Sequence, residues 1–166
     1  MKTGLISDTH SYLDPLIAEN LTLVDEIWHA GDIGNMTTFE TLEKINPVRA
    51  VYGNIDGHEL RAFLPSFQLF EIEGLKIFMT HIGGYPGKYA KNVRLILEKN
   101  KVDIFISGHS HILKIMPDKE LNLLHINPGS AGNYGFHKVK TMVVFELNSG
   151  KIENLKVIEC GKRNVI

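Results

Sequence analysis

Seven residues able to ligate a metal stand just beyond five short apolar runs of this chain. Leu5-Ile6-Ser7 leads to Asp8-Thr9-His10, Ile27-Trp28 to Gly31-Asp32, and Val51-Tyr52 to Gly53-Asn54. Ile77-Phe78-Met79 leads to His81, and Ile104-Phe105-Ile106 to Gly108-His109-Ser110-His111. Asp8 and His10 are two apart, as are His109 and His111. In an extended segment residues i and i+2 share a face, so each pair is expected to approach one ion. Gly31, Gly53 and Gly108 would let the backbone turn sharply and bring the next side chain up to that ion. The donors are imidazole, carboxylate and one amide oxygen, without thiolate, which suits manganese, iron or zinc and weighs against a pure calcium or magnesium site. Seven donors are too many for one open catalytic ion. Two ions sharing a bridging Asp, at the roughly 3.5–4 Å typical of two-metal hydrolases, account for them better.

Each element alone has a plainer explanation. Asp8-Thr9-His10 could be a helix cap followed by a satisfied histidine, His109-Ser110-His111 a turn, and Gly31-Asp32 and Gly53-Asn54 ordinary turn dipeptides. Those explanations must coincide at the same end of five strands, and the conjunction is what favours a metal centre.

The elements that must position these residues follow from the apolar pattern. A short apolar run bounded by Gly reads as a strand buried on both faces, and in open α/β sheets ligands gather beyond the strands' carboxyl ends. Asp14-Pro15 is a cap and first-turn pair for a helix carrying Leu16, Ile17, Ala18 and Leu21. Thr37-Thr38-Phe39-Glu40 has capping-box spacing for a second helix, with Phe39, Leu42 and Ile45 inward, stopped by Asn46-Pro47. A strand from Val48 to Tyr52 then delivers Asn54. This alternation calls for parallel crossovers. The second half changes character: Gln68–Glu73 and Leu75–Thr80 read as a hairpin about Gly74, and a helix is expected over about Lys88–Lys99, with Val93, Ile96 and Leu97 inside. A strand at Val102–Ser107 is followed by short strands at Ile112–Met116, Leu121–Ile126, Thr141–Leu147 and Lys151–Val157. Two stacked mixed sheets covered by helices fit this count better than one sheet.

Composition limits what the rim can belong to. With 166 residues, 43% of them apolar, the chain fits one domain spanning 1–166 with a real core. A formal charge of −1 offers no broad basic field, so strong nucleic-acid binding is not expected. Cys160 is the sole cysteine, which suits a reducing compartment, and no leader pattern or apolar run of the ~20 residues needed for a membrane span is evident. A cytoplasmic protein without membrane contact is expected. The edge strands and Phe63–Phe70 leave a homo-oligomer open.

The remaining candidates are weaker. His29 and His125 fall inside strands and read as packed or supporting groups, with His29 close enough to Asp32 to brace it. His137, in the Gly132–His137 loop, has no assigned role. Gly83-Gly84-Tyr85-Pro86-Gly87 reads as a flexible turn or a wall beside His81, with Tyr85 available to stack on substrate.

Asp8-Thr9-His10, Gly31-Asp32-Ile33-Gly34, Gly53-Asn54-Ile55-Asp56, Thr80-His81 and Gly108-His109-Ser110-His111 resemble, in order and spacing, the calcineurin-like metallophosphoesterases. Asn127-Pro128-Gly129-Ser130 and the compact length resemble the small bacterial and archaeal phosphodiesterase branch, related in fold to the small retromer subunit of eukaryotes. The resemblance implies a four-layer α/β/β/α sandwich. It also implies one ion at Asp8, His10, Asp32 and His111, and a second at Asp32, Asn54, His81 and His109. The expected activity is hydrolysis of small phosphodiesters by direct attack of a hydroxide bridging two divalent ions, manganese first, with zinc, iron or nickel as alternatives. Asn54, His81 and His109 would also orient the phosphate. Many members carry a histidine after the motif asparagine as an acid for the leaving group; this chain has Ile55, which favours leaving groups of low pKa, and His58 is a stand-in candidate. The competing expectation is a protein-interaction scaffold with little catalysis, like the retromer subunit.

Overall fold

In this computed structural model residues 1–163 are described, and the apolar runs become strands that alternate their side chains between two cores. The elements in order are β1 (Lys2–Ile6), α1 (Pro15–Leu21), β2 (Glu26–His29), α2 (Met36–Glu43), β3 (Val48–Ala50) and α3 (His58–Phe63). They continue with β4 (Phe67–Ile72), β5 (Leu75–Thr80), β6 (Gly84–Tyr85), β7 (Lys88–Tyr89), α4 (Lys91–Asn100) and β8 (Ile104–Ile106). The last four are β9 (Leu113–Asp118), β10 (Leu123–Pro128), β11 (Val139–Asn148) and β12 (Lys151–Lys162).

Two five-stranded sheets form, ordered β12-β11-β1-β2-β3 and β4-β5-β8-β10-β9. Within each, the three ligand-bearing or ligand-supporting strands run parallel: β1-β2-β3 in one, β5-β8-β10 in the other. Antiparallel β11 and β12 extend the first sheet beyond β1 and leave parallel β3 as its other edge, whereas antiparallel β4 and β9 close both edges of the second. Period-two alternation sorts the core. Leu5, Trp28, Ile77, Met79, Ile104, Ile106, Val143 and Phe145 meet between the sheets. Their neighbours Ile6, Ile27, Met142 and Val144 face outward under Ile17 and Leu21 of α1 and Leu42 of α2. Phe78 and Phe105 face the other way, under Val93 and Leu97 of α4. The result is helices, sheet, sheet, helix: the four-layer α/β/β/α sandwich, with the carboxyl ends of the parallel strands of both sheets at one rim.

Local details depart from expectation. Asn35, not Thr37, caps α2, its side chain accepting from the Thr38 amide. The residues expected to begin the helix at Lys88 instead form β7, paired with β6 across Pro86-Gly87, where Gly87 adopts φ 82° and so suits a turn that a β-branched residue would strain. α4 therefore starts at Lys91. Leu16 is exposed while Ile17 and Leu21 carry the buried face of α1. α3, beginning at His58, was not anticipated; only its Leu60 is buried, too little apolar pattern to announce a helix.

Candidate metal centre

The loops that leave β1 and β2 are held together by a continuation of the strand ladder. The amides of Asp8, His10 and Ser11 donate to the carbonyls of Gly31, Asp32 and Ile33 at 3.0, 3.0 and 2.8 Å. This happens in left-handed backbone, because Asp8, His10, Asp32, His109 and His111 have φ of 57°, 48°, 56°, 66° and 56°. The expectation of extended pairs with side chains on one face is therefore corrected. Asp8 and His10 do turn to the same place, but His109 and His111 part. Asp8, His10 and His111 group together, and Asp32, His81 and His109 form the second group, the ligand atoms within each lying within 4.8 Å of one another. Left-handed backbone at a residue other than Gly costs energy, on the order of 1–3 kcal/mol for a strained position and less for Asp and His, which tolerate it, and five candidate ligands adopt it here.

The donor atoms converge with few protons to share. His10 Nε2 and His111 Nε2 face each other at 3.4 Å. Asp8 Oδ1 lies 3.1 Å from His111 Nε2 and 4.0 Å from the Nε2 atoms of both His10 and His81. Asp32 Oδ2 sits between the two groups, 3.8 Å from His10 Nε2 and 3.2 Å from His81 Nε2. Asn54 Oδ1 is 3.1 Å from His81 Nε2. His81 Nδ1 lies 2.8 Å from the Ala30 carbonyl and must donate to it, so in the neutral ring the Nε2 lone pair points into the site. Asp8 Oδ1 is buried and accepts no hydrogen bond. An unsatisfied buried carboxylate oxygen among converging imidazole nitrogens and carboxylates is costly as it stands, and a cation among them removes that cost, so the residues present fit divalent ions.

Electrostatics agree with this crowding. Burial holds the His10 imidazole below its ordinary value, against the pull of the Asp32 and Asp8 carboxylates. Burial would also lower His81, but its hydrogen bond to Asp32 and the charges of Asp8 and Asp32 hold it above its ordinary value. For Asp32 burial opposes ionisation, yet the His81 hydrogen bond and charge keep the carboxyl below its usual range.

Supporting contacts explain why the loops hold their shape. His29 Nδ1 accepts from the Gly31 amide at 3.1 Å, so its Nε2 carries the proton and donates to Thr9 Oγ1 at 2.9 Å; Thr9 passes the bond to the Ile33 carbonyl. His29 is fully buried, pushed down to about 4 by that burial, and ties the Asp8 and Asp32 loops together as a bracing residue. His137 packs its ring 5.5 Å from that of His111 and pairs through Nε2 with the Gly132 carbonyl. His125 stacks on Phe105 away from the donor atoms. His58 is exposed at the start of α3 and belongs to neither ligand group.

Sequence reasoning missed three braces. Asp56, nearly buried, accepts from the amides of Gly34 and Gly53, both at 2.7 Å. Arg61 holds the carbonyls of Asp56, Gly53 and Asn54 at 2.6, 3.2 and 2.9 Å. Asn127 donates to the Gly108 carbonyl at 2.8 Å and accepts from the Gly129 amide at 3.0 Å, bracing the His109–His111 turn. Asp56 closes the Gly53-Asn54-Ile55-Asp56 motif that carries the resemblance, but nothing in that motif announced a brace.

Three clefts open around the centre. One of about 300 Å³ is lined by His109, one of about 240 Å³ by Asn54 and His81, and one of about 400 Å³ by His10. A rim of converging carboxylates and imidazoles above two stacked sheets has the donor set of a metal site, and comparison with known proteins gives its family. The family model for the calcineurin-like phosphoesterase superfamily domain matches residues 1–150. A relative from Methanothermobacter thermautotrophicus described as a probable metallophosphoesterase is 34% identical over 135 residues, covering 78% of this chain and 77% of its own. The chain belongs to the calcineurin-like phosphoesterase superfamily. A solved archaeal phosphodiesterase superposes with a TM-score of 0.76 at 26% identity, covering 96% of this chain and 99% of its own. Vps29 of Entamoeba histolytica, solved with zinc, superposes with a TM-score of 0.74 at 20% identity over 97% of this chain and 100% of its own, a likeness of fold alone. No described helix is long and apolar enough to cross a membrane.

Proposed function

We propose that the chain is a phosphodiesterase acting on small diesters with two divalent ions, manganese foremost and zinc, iron or nickel as alternatives. Asp8, His10, Asp32 and His111 would hold one ion, and Asp32, Asn54, His81 and His109 the other. The observation that carries this reading is Asp32 Oδ2 standing between the imidazoles of the two groups, beside the unsatisfied Asp8 Oδ1. When bound, a pair of such ions supplies an acidified water as nucleophile and positive charge for the phosphate oxygens. The chain's own part is to hold the donors ready. The Ala30 carbonyl fixes the His81 tautomer, the His109 amide holds Asp8 Oδ2 at 3.2 Å, and the Ile55 amide holds Asp32 Oδ1 at 3.0 Å. Asn54 is kept in place through Arg61 and offers its amide to ion and phosphate.

Ile55 follows Asn54 and His58 lies outside both ligand groups, so we assign proton transfer to solvent. Esters of low-pKa alcohols are then the better substrates. The near-neutral charge speaks for a small diester over a long polynucleotide. A weakly catalytic interaction scaffold is the second reading, favoured by Tyr134 and Phe136, which stand exposed on the loop whose Tyr134 ring packs 5.2 Å from His10. Hydrolysis of an activated aryl phosphodiester with and without manganese separates the two: metal-dependent turnover abolished by Asp32→Ala is expected. Metal-loaded protein without turnover would favour the scaffold.

A further inference from the structure

Three candidate ligands are each followed by an exposed isoleucine: Ile55 after Asn54, Ile82 after His81 and Ile112 after His111, exposed by 45, 51 and 60%. One exposed isoleucine on a surface is ordinary, but Ile82 and Ile112 line one cleft beside His109 and Ile55 another beside His10, so apolar contact surface flanks the mouth of a polar centre. Holding ions requires none of them.

The cleft of about 300 Å³ runs from this mouth onto the outer face of the second sheet. His109 lines it, so it is continuous with the metal centre, and Ile82 and Ile112 stand on its rim. One wall is the Tyr85 ring of the β6–β7 hairpin, held by the Lys114 ammonium 3.5 Å from its centroid. The hairpin thus presents an aromatic wall to the cleft. His125 also lines the cleft, 1% exposed and stacked on Phe105 with centroids 5.0 Å apart. Its Nδ1 is buried without a hydrogen-bond partner. An unpaired polar atom in such a place carries a desolvation penalty that a ligand's polar edge would relieve. The lining joins Ile82, Tyr85 and Ile112 to polar side chains that include His109, Lys114 and Asn127, and apolar walls with placed polar groups are the usual composition of a small-molecule pocket.

We propose that this cleft is the specificity subsite of the centre and takes a planar aryl or heteroaryl ester group, lying against Tyr85 between Ile82 and Ile112, with a polar ring atom or substituent meeting His125. The proposal rests on the phosphodiesterase reading and adds the class of substrate. Short alkyl esters and sugar phosphates leave the cleft unfilled.

Unreactive phosphinates test it without turnover. Calorimetry on manganese-loaded protein is expected to show diphenylphosphinate binding at least about tenfold tighter than dimethylphosphinate, as burial of aromatic rings requires. Ile112→Ser and Tyr85→Ala each shrink that preference to within about threefold; Ile112 is exposed, so its variant keeps the test open if the hairpin variant does not fold. Bis(4-nitrophenyl)phosphinate, whose nitro group brings a polar substituent to His125, is expected to bind the wild type more tightly than diphenylphosphinate; His125→Phe keeps the stacked ring but loses the nitrogen, so that advantage disappears while diphenylphosphinate binds as before. Equal affinity for the aryl and methyl ligands, binding of neither, or variants that keep the full preference would overturn the subsite. An intact aryl preference in a protein that hydrolyses no phosphate ester would support the subsite and sink the phosphodiesterase reading instead.

Discussion

Gly53→Ala places a methyl group where the Asp32 loop passes closest. A Cβ built at Gly53 lies 2.7 Å from Asp32 Cγ and closer still to its Oδ1 and amide nitrogen. Ordinary contact begins near 3.4 Å, so the Asp32 carboxylate must move by about 0.7 Å or more. Gly53 has no left-handed φ, so the penalty is steric and local. Overpacking of this kind costs about 1–3 kcal/mol of stability. Because displacements near 1 Å cost about 100-fold in rate, a loss of about 10–100-fold in kcat/KM is expected, together with weaker binding of the ions that share Asp32. Gly57→Ala is the matched control, since a Cβ there meets nothing within 4 Å and Gly57 is extended at the start of α3. It should change stability by no more than about 0.5 kcal/mol and leave activity alone. Metal titration, thermal melting and steady-state kinetics on both variants make the measurement. A folded Gly53→Ala protein with unchanged metal affinity and rate would refute the close-approach reasoning.

Asp56→Asn leaves one of the Gly34 and Gly53 amides facing a donor instead of a carboxylate oxygen. Losing a charged hydrogen bond costs about 1.5–3 kcal/mol, so Tm should fall by about 3–12 °C with weakened metal binding; an unchanged melt would show that the carboxylate does not brace these loops. Burial pushes His125 down to about 4 from an ordinary 6.5. The unfolded chain then takes the proton first, so stability is full above about pH 6.5 and falls as pH drops toward 4, by roughly 3 kcal/mol from this group. Denaturation in urea at pH 7.5 and 4.5 should show a shallower pH dependence in His125→Phe than in the wild type. Equal slopes would mean His125 already carries its proton in the fold.

The apolar runs at β1, β2, β5 and β8 were legible because each strand is buried on both faces, which leaves an uninterrupted apolar stretch with its ligand just beyond. So was the grouping at one rim, which follows from parallel polarity. The local geometry was less legible. Spacing of two suggested extended pairs, whereas Asp8, His10, His109 and His111 take left-handed backbone that no residue pattern announces. Asn35 outcompeted Thr37 as a cap because the helix begins directly at Met36. The bracing roles of Asp56, Arg61 and Asn127 were not legible, although Asp56 and Asn127 stand in the motifs that carry the resemblance, because their partners are backbone groups brought near by the fold, and a lone polar residue in a loop carries no periodicity.

The most direct measurement is anomalous diffraction at the manganese edge from crystals grown with manganese. Two peaks about 3.5–4 Å apart, with Asp32 between them and His111 and His81 on opposite sides, are expected. A single peak, or ions bound away from Asp8 and Asp32, would contradict the shared-aspartate centre.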